Sequence, residues 1–295
     1  MNEVINISGL EKIYNNYDTF ILDQWGVMHD GNMGYLKAIQ CVEKLYLEKK
    51  NLIIISNSSK RKNSTLLRLP ALGFNQNHFI DVMTSGEMIW KSLFNQNYSE
   101  IKNLGKYCFH IFDKTKVGGK DLLNGLEFNS EKNIKESDFI LGCTPFANTE
   151  VLDYVPILNI ALERAIPFIC ANPDFQTIET STNGDNLFCM GTISELYKNM
   201  GGRVFFLGKP NIDIYVKSTQ KINNLDKSRV LAVGDSLHHD IKGAINYGID
   251  SLLITSTGIH SKIFDKKKVN WDHHNSNTLL NMNIRPNFIC SEFTF

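Results

Sequence analysis

The sequence predicts an α/β fold: a Rossmann-like parallel sheet core flanked by helices, with an α/β cap domain inserted into it. Short unbroken apolar runs recur along the chain, each closed by Gly, Asn, Asp or Pro, and stretches of helical character lie between them. Continuous apolar runs of about four residues mark strands buried on both faces, the state of a parallel sheet covered by helices. Strand and helix in alternation supply the crossovers that such a sheet needs.

The first run is Phe20-Ile21-Leu22, ending at Asp23, and the second is Leu52-Ile53-Ile54-Ile55, ending at Ser56-Asn57. Phe139-Ile140-Leu141, Phe168-Ile169-Cys170, Val204-Phe205-Phe206-Leu207, Val230-Leu231-Ala232-Val233 and Leu252-Leu253-Ile254 follow. Helical character is expected over 35–49, 85–94, 151–164 and 212–222. A chain of 295 residues is long enough for two domains with their own cores.

Composition narrows the function. Lys plus Arg and Asp plus Glu both total 31, so no basic excess suits the chain to nucleic acid. No segment approaches the roughly 18 uninterrupted apolar residues of a membrane span. The first ten residues lack the basic and apolar pattern of a secretory signal. Six scattered cysteines without a C-x-x-C pair suit reduced thiols, and a cytoplasmic location is expected.

Ligands of such a sheet sit beyond the carboxyl ends of its strands, so the residues closing each run carry the chemistry. Asp23 closes the first, followed by Gln24-Trp25-Gly26-Val27. Ser56-Asn57-Ser58-Ser59 closes the second, offering hydroxyl and amide donors where a helix is expected to begin and where a phosphate would be well held. Gly208-Lys209-Pro210 presents a cation at a rigid turn, and Gly234-Asp235 to Asp240 places two carboxylates five residues apart. Carboxylates from two strand ends can hold Mg²⁺, a cation that prefers oxygen ligands, and screen a phosphate from an attacking carboxylate.

Asp23, Ser56-Asn57, Lys209 and Asp235 to Asp240 stand in the order of the four motifs of the haloacid dehalogenase superfamily. The finer text resembles its class IIA branch, the NagD-like, pyridoxal-phosphatase-like and phosphoglycolate-phosphatase-like proteins. Ser56 to Lys60, Ala71-Leu72-Gly73-Phe74, Ala171-Asn172-Pro173-Asp174, Gly208-Lys209-Pro210 and Val233 to Ile241 carry that resemblance. It implies a Mg²⁺-dependent phosphatase acting on a small phosphorylated metabolite, such as a sugar phosphate, a nucleotide or an aromatic phosphate. Asp23 would be the nucleophile, forming an aspartyl-phosphate that water hydrolyses. The carboxylates of Asp23 and Asp235 and the backbone carbonyl of Trp25 would hold the metal. Ser56, Asn57 and Ser58 would hold the phosphoryl group with Lys209 facing them, and Asp240 would orient Lys209 or a metal-bound water. The resemblance also implies a cap between the second and third motifs, expected over 83–183, with the core formed by 1–82 and 184–295. Asn172 and Asp174 would lie near the cap's exit and meet the substrate. Class IIA caps often mediate dimers, so a homodimer is the assembly that the resemblance suggests.

One position departs from the family. Two residues after the nucleophile, its phosphatases carry a second aspartate that protonates the leaving group and then activates water; here that residue is Trp25. A backbone carbonyl survives the change, but the proton shuttle does not, and general acid–base assistance is worth about 10²–10⁴-fold. His29 and Asp30 are the nearest candidates for a substitute donor, and Trp25 itself could stack on a substrate ring. The alternatives are hydrolysis of acyl phosphates, phosphonates or carbon–halogen bonds, or a catalytically weak phosphometabolite-binding protein.

Other features read as structure. His238-His239 and His273-His274 are expected to be solvated loop histidines, since adjacent side chains rarely converge on one ion. Gly118-Gly119-Lys120 lacks the glycine spacing of a phosphate loop and is expected to be a turn. Lys266-Lys267-Lys268 reads as a solvated face. No G-x-G-x-x-G follows a strand, which argues against a dinucleotide cofactor.

Overall fold

In the computed structural model each apolar run forms a strand, and the described residues are 4–116, 119–131, 133–180, 186–264 and 284–295. The strands in the first half are β1 (Ile5–Asn6), β2 (Thr19–Leu22), β3 (Asn51–Ser56), β4 (Asp81–Thr84), β5 (Tyr107–Ile111), β6 (Asn129–Glu131) and β7 (Phe139–Gly142). In the second half they are β8 (Phe168–Cys170), β9 (Gln176–Thr180), β10 (Asn186–Phe188), β11 (Val204–Phe206), β12 (Val230–Gly234), β13 (Asp250–Ile254) and β14 (Phe288–Cys290). The helices are α1 (Leu36–Leu47), α2 (Lys62–Arg68), α3 (Ser85–Asn95), α4 (Ser99–Lys102), α5 (Val155–Glu163), α6 (Met190–Asn199), α7 (Ile212–Thr219) and α8 (Lys242–Tyr247). No helix among the described residues is long and apolar enough to cross a membrane.

The chain divides into two units, the first made of 1–56, 65–83 and 209–295, the second of 57–64 and 84–208. The first unit holds a seven-stranded sheet of order β1-β14-β13-β12-β2-β3-β4, in which every neighbouring pair from β1 to β3 is parallel. Alternate residues of its strands serve opposite faces. Phe20, Leu22, Leu52, Ile54, Leu231, Val233, Leu252 and Ile254 share one core with Ala38, Cys41, Val42 and Leu45 of α1. Leu253 and Ile289 instead pack with Leu237, Ile241 and Phe264. Burial on both faces is why these strands read as unbroken apolar runs. The chain runs outward from β2 through β3, then returns to β2's other side with β12, so the strand order reverses between β2 and β12 while the strands stay parallel. Such a reversal opens a crevice at the carboxyl ends.

The second unit holds a five-stranded parallel sheet of order β11-β8-β7-β5-β6 and the antiparallel pair β9–β10. Phe109, Ile111, Ile140, Phe168 and Cys170 pack with Leu158 and Ala161 of α5 and Met190, Ile193 and Tyr197 of α6. Of the residues expected in the core after 183, the segment 186–208 packs with the second unit: β11 pairs with β8 along its whole length and α6 covers the same core. His273, His274, Gly118 and Lys266–Lys268 lie outside the described residues; Gly119 (φ 81°) precedes a 3₁₀ turn at Lys120–Leu123, where a turn was expected.

Candidate active site

Asp23 and Asp235 meet because β2 and β12 are neighbours in register. Leu22 lies opposite Val233, and the Asp23 N–H donates to the Val233 carbonyl at 2.9 Å, so both strands end side by side at the crevice. A π-helical turn, Leu237–Ile241, brings Asp240 back over Gly234, whose missing side chain leaves room: a Cβ there would lie 2.2 Å from the Asp240 Cβ. Ligand oxygens of Asp23, Asp235 and Asp240 fall within 4.8 Å of one another, and all three residues are buried. Lys209 lies three residues after the end of β11 and precedes α7, which Asn211 caps by accepting the Asp213 N–H at 2.9 Å. Its ammonium, 2% exposed, donates to Asp23 Oδ1 at 2.5 Å and to Asp240 Oδ1 at 2.7 Å. The second Asp240 oxygen accepts the Ser236 N–H at 3.1 Å. Lys209 therefore touches the predicted nucleophile directly, and Asp240 holds Lys209 from its other side.

Three buried carboxylates share one ammonium. Burial, then the charges of Asp23 and Asp240, push the Asp235 carboxyl well above the ordinary carboxylate range, against the opposing Ile259 N–H and Lys209. A hard divalent cation among these oxygens would relieve that excess charge, so the donor set fits Mg²⁺. Among the described residues these aspartates are the metal-capable group found. Of the two histidines expected to be solvated in a loop, His238 is exposed, but His239 is buried in the π-helical turn with Nδ1 3.1 Å from Ser236 Oγ.

Glycine and a returning turn close the cluster, and these parts escaped sequence reasoning. Gly26, at φ 76°, leaves no room for a side chain: a Cβ would lie 2.3 Å from Asp235 Oδ2 and 2.9 Å from Gly258 Cα. After β13, Thr257 Oγ1 donates to the Gly26 carbonyl at 2.6 Å, and the Ile259 N–H donates to Asp235 Oδ2 at 2.9 Å. The only sequence signal was a Thr-Gly pair following an apolar run.

Trp25 is half-buried, and its indole lies on the backbone of Gly31, where a Cβ would come within 2.3 Å of the ring. His29 meets it edge-on at 5.3 Å. Gly31 is at φ 97° and donates its N–H to His29 Nδ1 at 3.1 Å. The two expected stand-ins for the missing acid fare poorly. Asp30 caps its own turn, accepting the Met33 and Asn32 N–H groups, and these hold its carboxyl below the usual range. His29 is buried with Nδ1 serving as an acceptor, so that nitrogen has no proton to give.

The segment expected to hold a phosphate also differs from expectation in its local structure. Ser56 is the last residue of β3 and is buried, but no helix starts there; α2 begins at Lys62. The segment 57–64 instead packs on α3, with the Gly86 N–H donating to the Ser58 carbonyl, Thr84 Oγ1 to the Lys60 carbonyl and Arg61 to Glu87. Ser58 Oγ accepts the Lys60 N–H at 3.3 Å. In the same unit, Asn57 Nδ2 donates to Asp174 Oδ1 at 2.7 Å, and Asn172 Oδ1 accepts the Asp174 N–H at 3.2 Å. Asn57, Asn172 and Asp174 thus form one network.

Comparison with known proteins follows the same lines. The family described as haloacid dehalogenase-like hydrolase matches residues 20–114, and a HAD-hydrolase-like family matches 206–293. The acid sugar phosphatase of Staphylococcus saprophyticus is 24% identical over 86% of this chain and 92% of its own length. That of Staphylococcus epidermidis is 26% identical over 83% and 88%. A haloacid dehalogenase-like hydrolase from Brucella suis shares the fold, with a TM-score of 0.80 at 24% identity over 98% of this chain and 100% of that one.

Proposed function

We propose that this chain, which the haloacid dehalogenase-like hydrolase models match over 20–114 and 206–293, is a class IIA member of that family and a Mg²⁺-dependent phosphatase of small phosphorylated metabolites. The observation that carries this reading is the buried cluster of Asp23, Asp235 and Asp240 with Lys209 between two of them. The acid sugar phosphatases among its relatives make a sugar phosphate the first substrate class to try.

Asp23 attacks phosphorus, and the ester oxygen leaves with the bonding pair. Water then hydrolyses the aspartyl-phosphate and regenerates the carboxylate. Lys209 neutralises phosphoryl charge beside the nucleophile, and Asp240 fixes the ammonium there. Ser56, at the end of the adjacent strand, supplies a hydroxyl to the phosphoryl oxygens. Asp23, Asp235 and the Trp25 carbonyl would hold Mg²⁺, which supplies charge neutralisation when bound. Positioning and neutralisation are most of what phosphoryl transfer requires.

Trp25 supplies no proton, and Asp30 is held ionised. The enzyme is therefore slow on sugar phosphates, whose leaving alkoxide needs a proton, and faster on aryl or acyl phosphates, whose leaving groups depart unassisted. Six buried free thiols agree with the cytoplasmic setting we assign it.

The test is hydrolysis of 4-nitrophenyl phosphate with and without Mg²⁺ by the native protein and Asp23→Asn. Mg²⁺-dependent turnover that falls roughly 10³-fold or more in the variant is expected. Equal turnover by both proteins refutes the reading.

A further inference from the structure

We propose that Thr257 is a positioning residue for the divalent cation, acting through the Gly26 peptide; this rests on the Mg²⁺ site proposed above. Two of the three ligands assigned to that site are set by one turn. The Gly26 N–H donates to the His29 carbonyl at 3.0 Å, which fixes the plane of the Trp25–Gly26 peptide. In a planar trans peptide the Trp25 carbonyl must then point away from that N–H, whatever side chain residue 25 carries. The next carbonyl, of Gly26, is held by Thr257 Oγ1 at 2.6 Å. Both peptides flanking the Gly26 Cα are therefore tied, in a left-handed conformation that a chain left alone would readily abandon.

The same turn reaches the second ligand. Ile259, two residues on, donates its N–H to Asp235 Oδ2 at 2.9 Å. Gly258 between them fits against both partners: its own Cβ would lie 2.3 Å from Asp235 Cβ. The turn is anchored at its base, where the Thr255 and Ser256 N–H groups donate to the carbonyls of Cys290 and Ser291 at 3.0 and 2.9 Å. Thr257–Ile259 is thus an extension of the sheet edge that couples the loop after β2 to the carboxylate after β12. The threonine hydroxyl is its one side-chain link to Gly26 among the hydrogen bonds described.

The experiment is calorimetric titration of Mg²⁺ alone into native protein, Thr257→Val and Thr257→Ser, with thermal unfolding of each with and without Mg²⁺. Thr257→Val should bind Mg²⁺ about 10- to 100-fold more weakly, the range for groups that orient metal ligands. Thr257→Ser, which keeps the hydroxyl, should bind close to native. The Mg²⁺-induced rise in Tm should shrink in Thr257→Val more than the metal-free Tm falls. Native affinity in Thr257→Val overturns the proposal, as does equal weakening in both variants, because the serine retains the hydroxyl to which the effect is assigned. Should Thr257→Val not fold, Thr257→Ala against Thr257→Ser makes the same comparison. A native protein that binds no Mg²⁺ removes the site itself, a different result from a native protein and a valine variant that bind it equally.

Discussion

The Asp235 carboxylate occupies the space that any side chain at position 26 would need, its Oδ2 lying 2.3 Å from where a Gly26 Cβ would fall. Neither partner can yield easily. Gly26 is enclosed on a third side by Gly258 Cα, and Asp235 is held by the Ile259 N–H.

Gly26→Ala should therefore displace the carboxylate as well as strain the backbone at φ 76°. Destabilisation of about 1–3 kcal/mol is expected from the left-handed conformation. The Mg²⁺ concentration for half-maximal activity should rise about tenfold or more. Urea unfolding of the metal-free protein and an activity titration measure the two effects separately. An unchanged Mg²⁺ requirement would show that Asp235 is not held by this contact.

Lys209 provides a second test. Its ammonium is buried between Asp23 and Asp240, so its removal leaves three carboxylates without a cation. Lys209→Met should lose activity and about 3–5 kcal/mol of stability, as when one partner of a buried ion pair is deleted. Adding Asp240→Asn to that variant should recover part of the stability and none of the activity, because one orphaned charge is gone. A Lys209→Met protein as stable as native in urea would contradict the arrangement.

The positions that the sequence made legible are those where burial and chemistry coincide at a strand end. Phe20 to Leu22 running into Asp23, and Val230 to Val233 running into Gly234-Asp235, announce both a two-faced strand and a group at its carboxyl end. What stayed hidden depends on contacts distant in sequence. Val204-Phe205-Phe206 reads as a buried strand, but which sheet it joins is decided by pairing with Phe168 to Cys170. Ser56 to Ser59 has the composition of a helix cap, yet packing of this segment on α3 delays the helix to Lys62. β5 carries His110 within its run, which masked it. Thr257 and Gly258 look like any turn until β2 and β12 are seen to be neighbours.

Trp25 sets a third prediction. Its indole rests on Gly31 and His29, so Trp25→Asp gives up that packing, at about 2 kcal/mol for a half-buried ring. In exchange it places a carboxyl two residues after the nucleophile. With an alkyl phosphate kcat/KM should rise about 10²-fold, the low end of general acid–base assistance. With 4-nitrophenyl phosphate, whose leaving group needs no proton, it should not rise. Steady-state rates on the two substrates give the ratio directly, and a ratio unmoved by the substitution would mean that another group already donates the proton.

The fourth prediction concerns acid stability and lies in the second unit. His110, on β5, is buried with Nε2 3.4 Å from the Cys143 Sγ. Burial lowers its pKa to about 4, opposed by a hydrogen bond to the backbone of Gly119. The folded protein keeps this ring neutral while the unfolded chain takes up a proton near pH 6.5, so the unfolded state binds more protons between those values. Stability from this group is thus complete above about pH 6.5 and declines as pH falls toward 4, at about 1.4 kcal/mol per pH unit. His260, in the first unit, is also lowered to about 4 by burial and adds to the decline. Between pH 7 and pH 5 His110 alone accounts for about 2 kcal/mol. His110→Gln cannot take up the proton, so its unfolding free energy in urea should fall by that much less than the native protein's over the same interval. Equal losses in the two proteins would mean that His110 is already charged, or solvated, in the folded state.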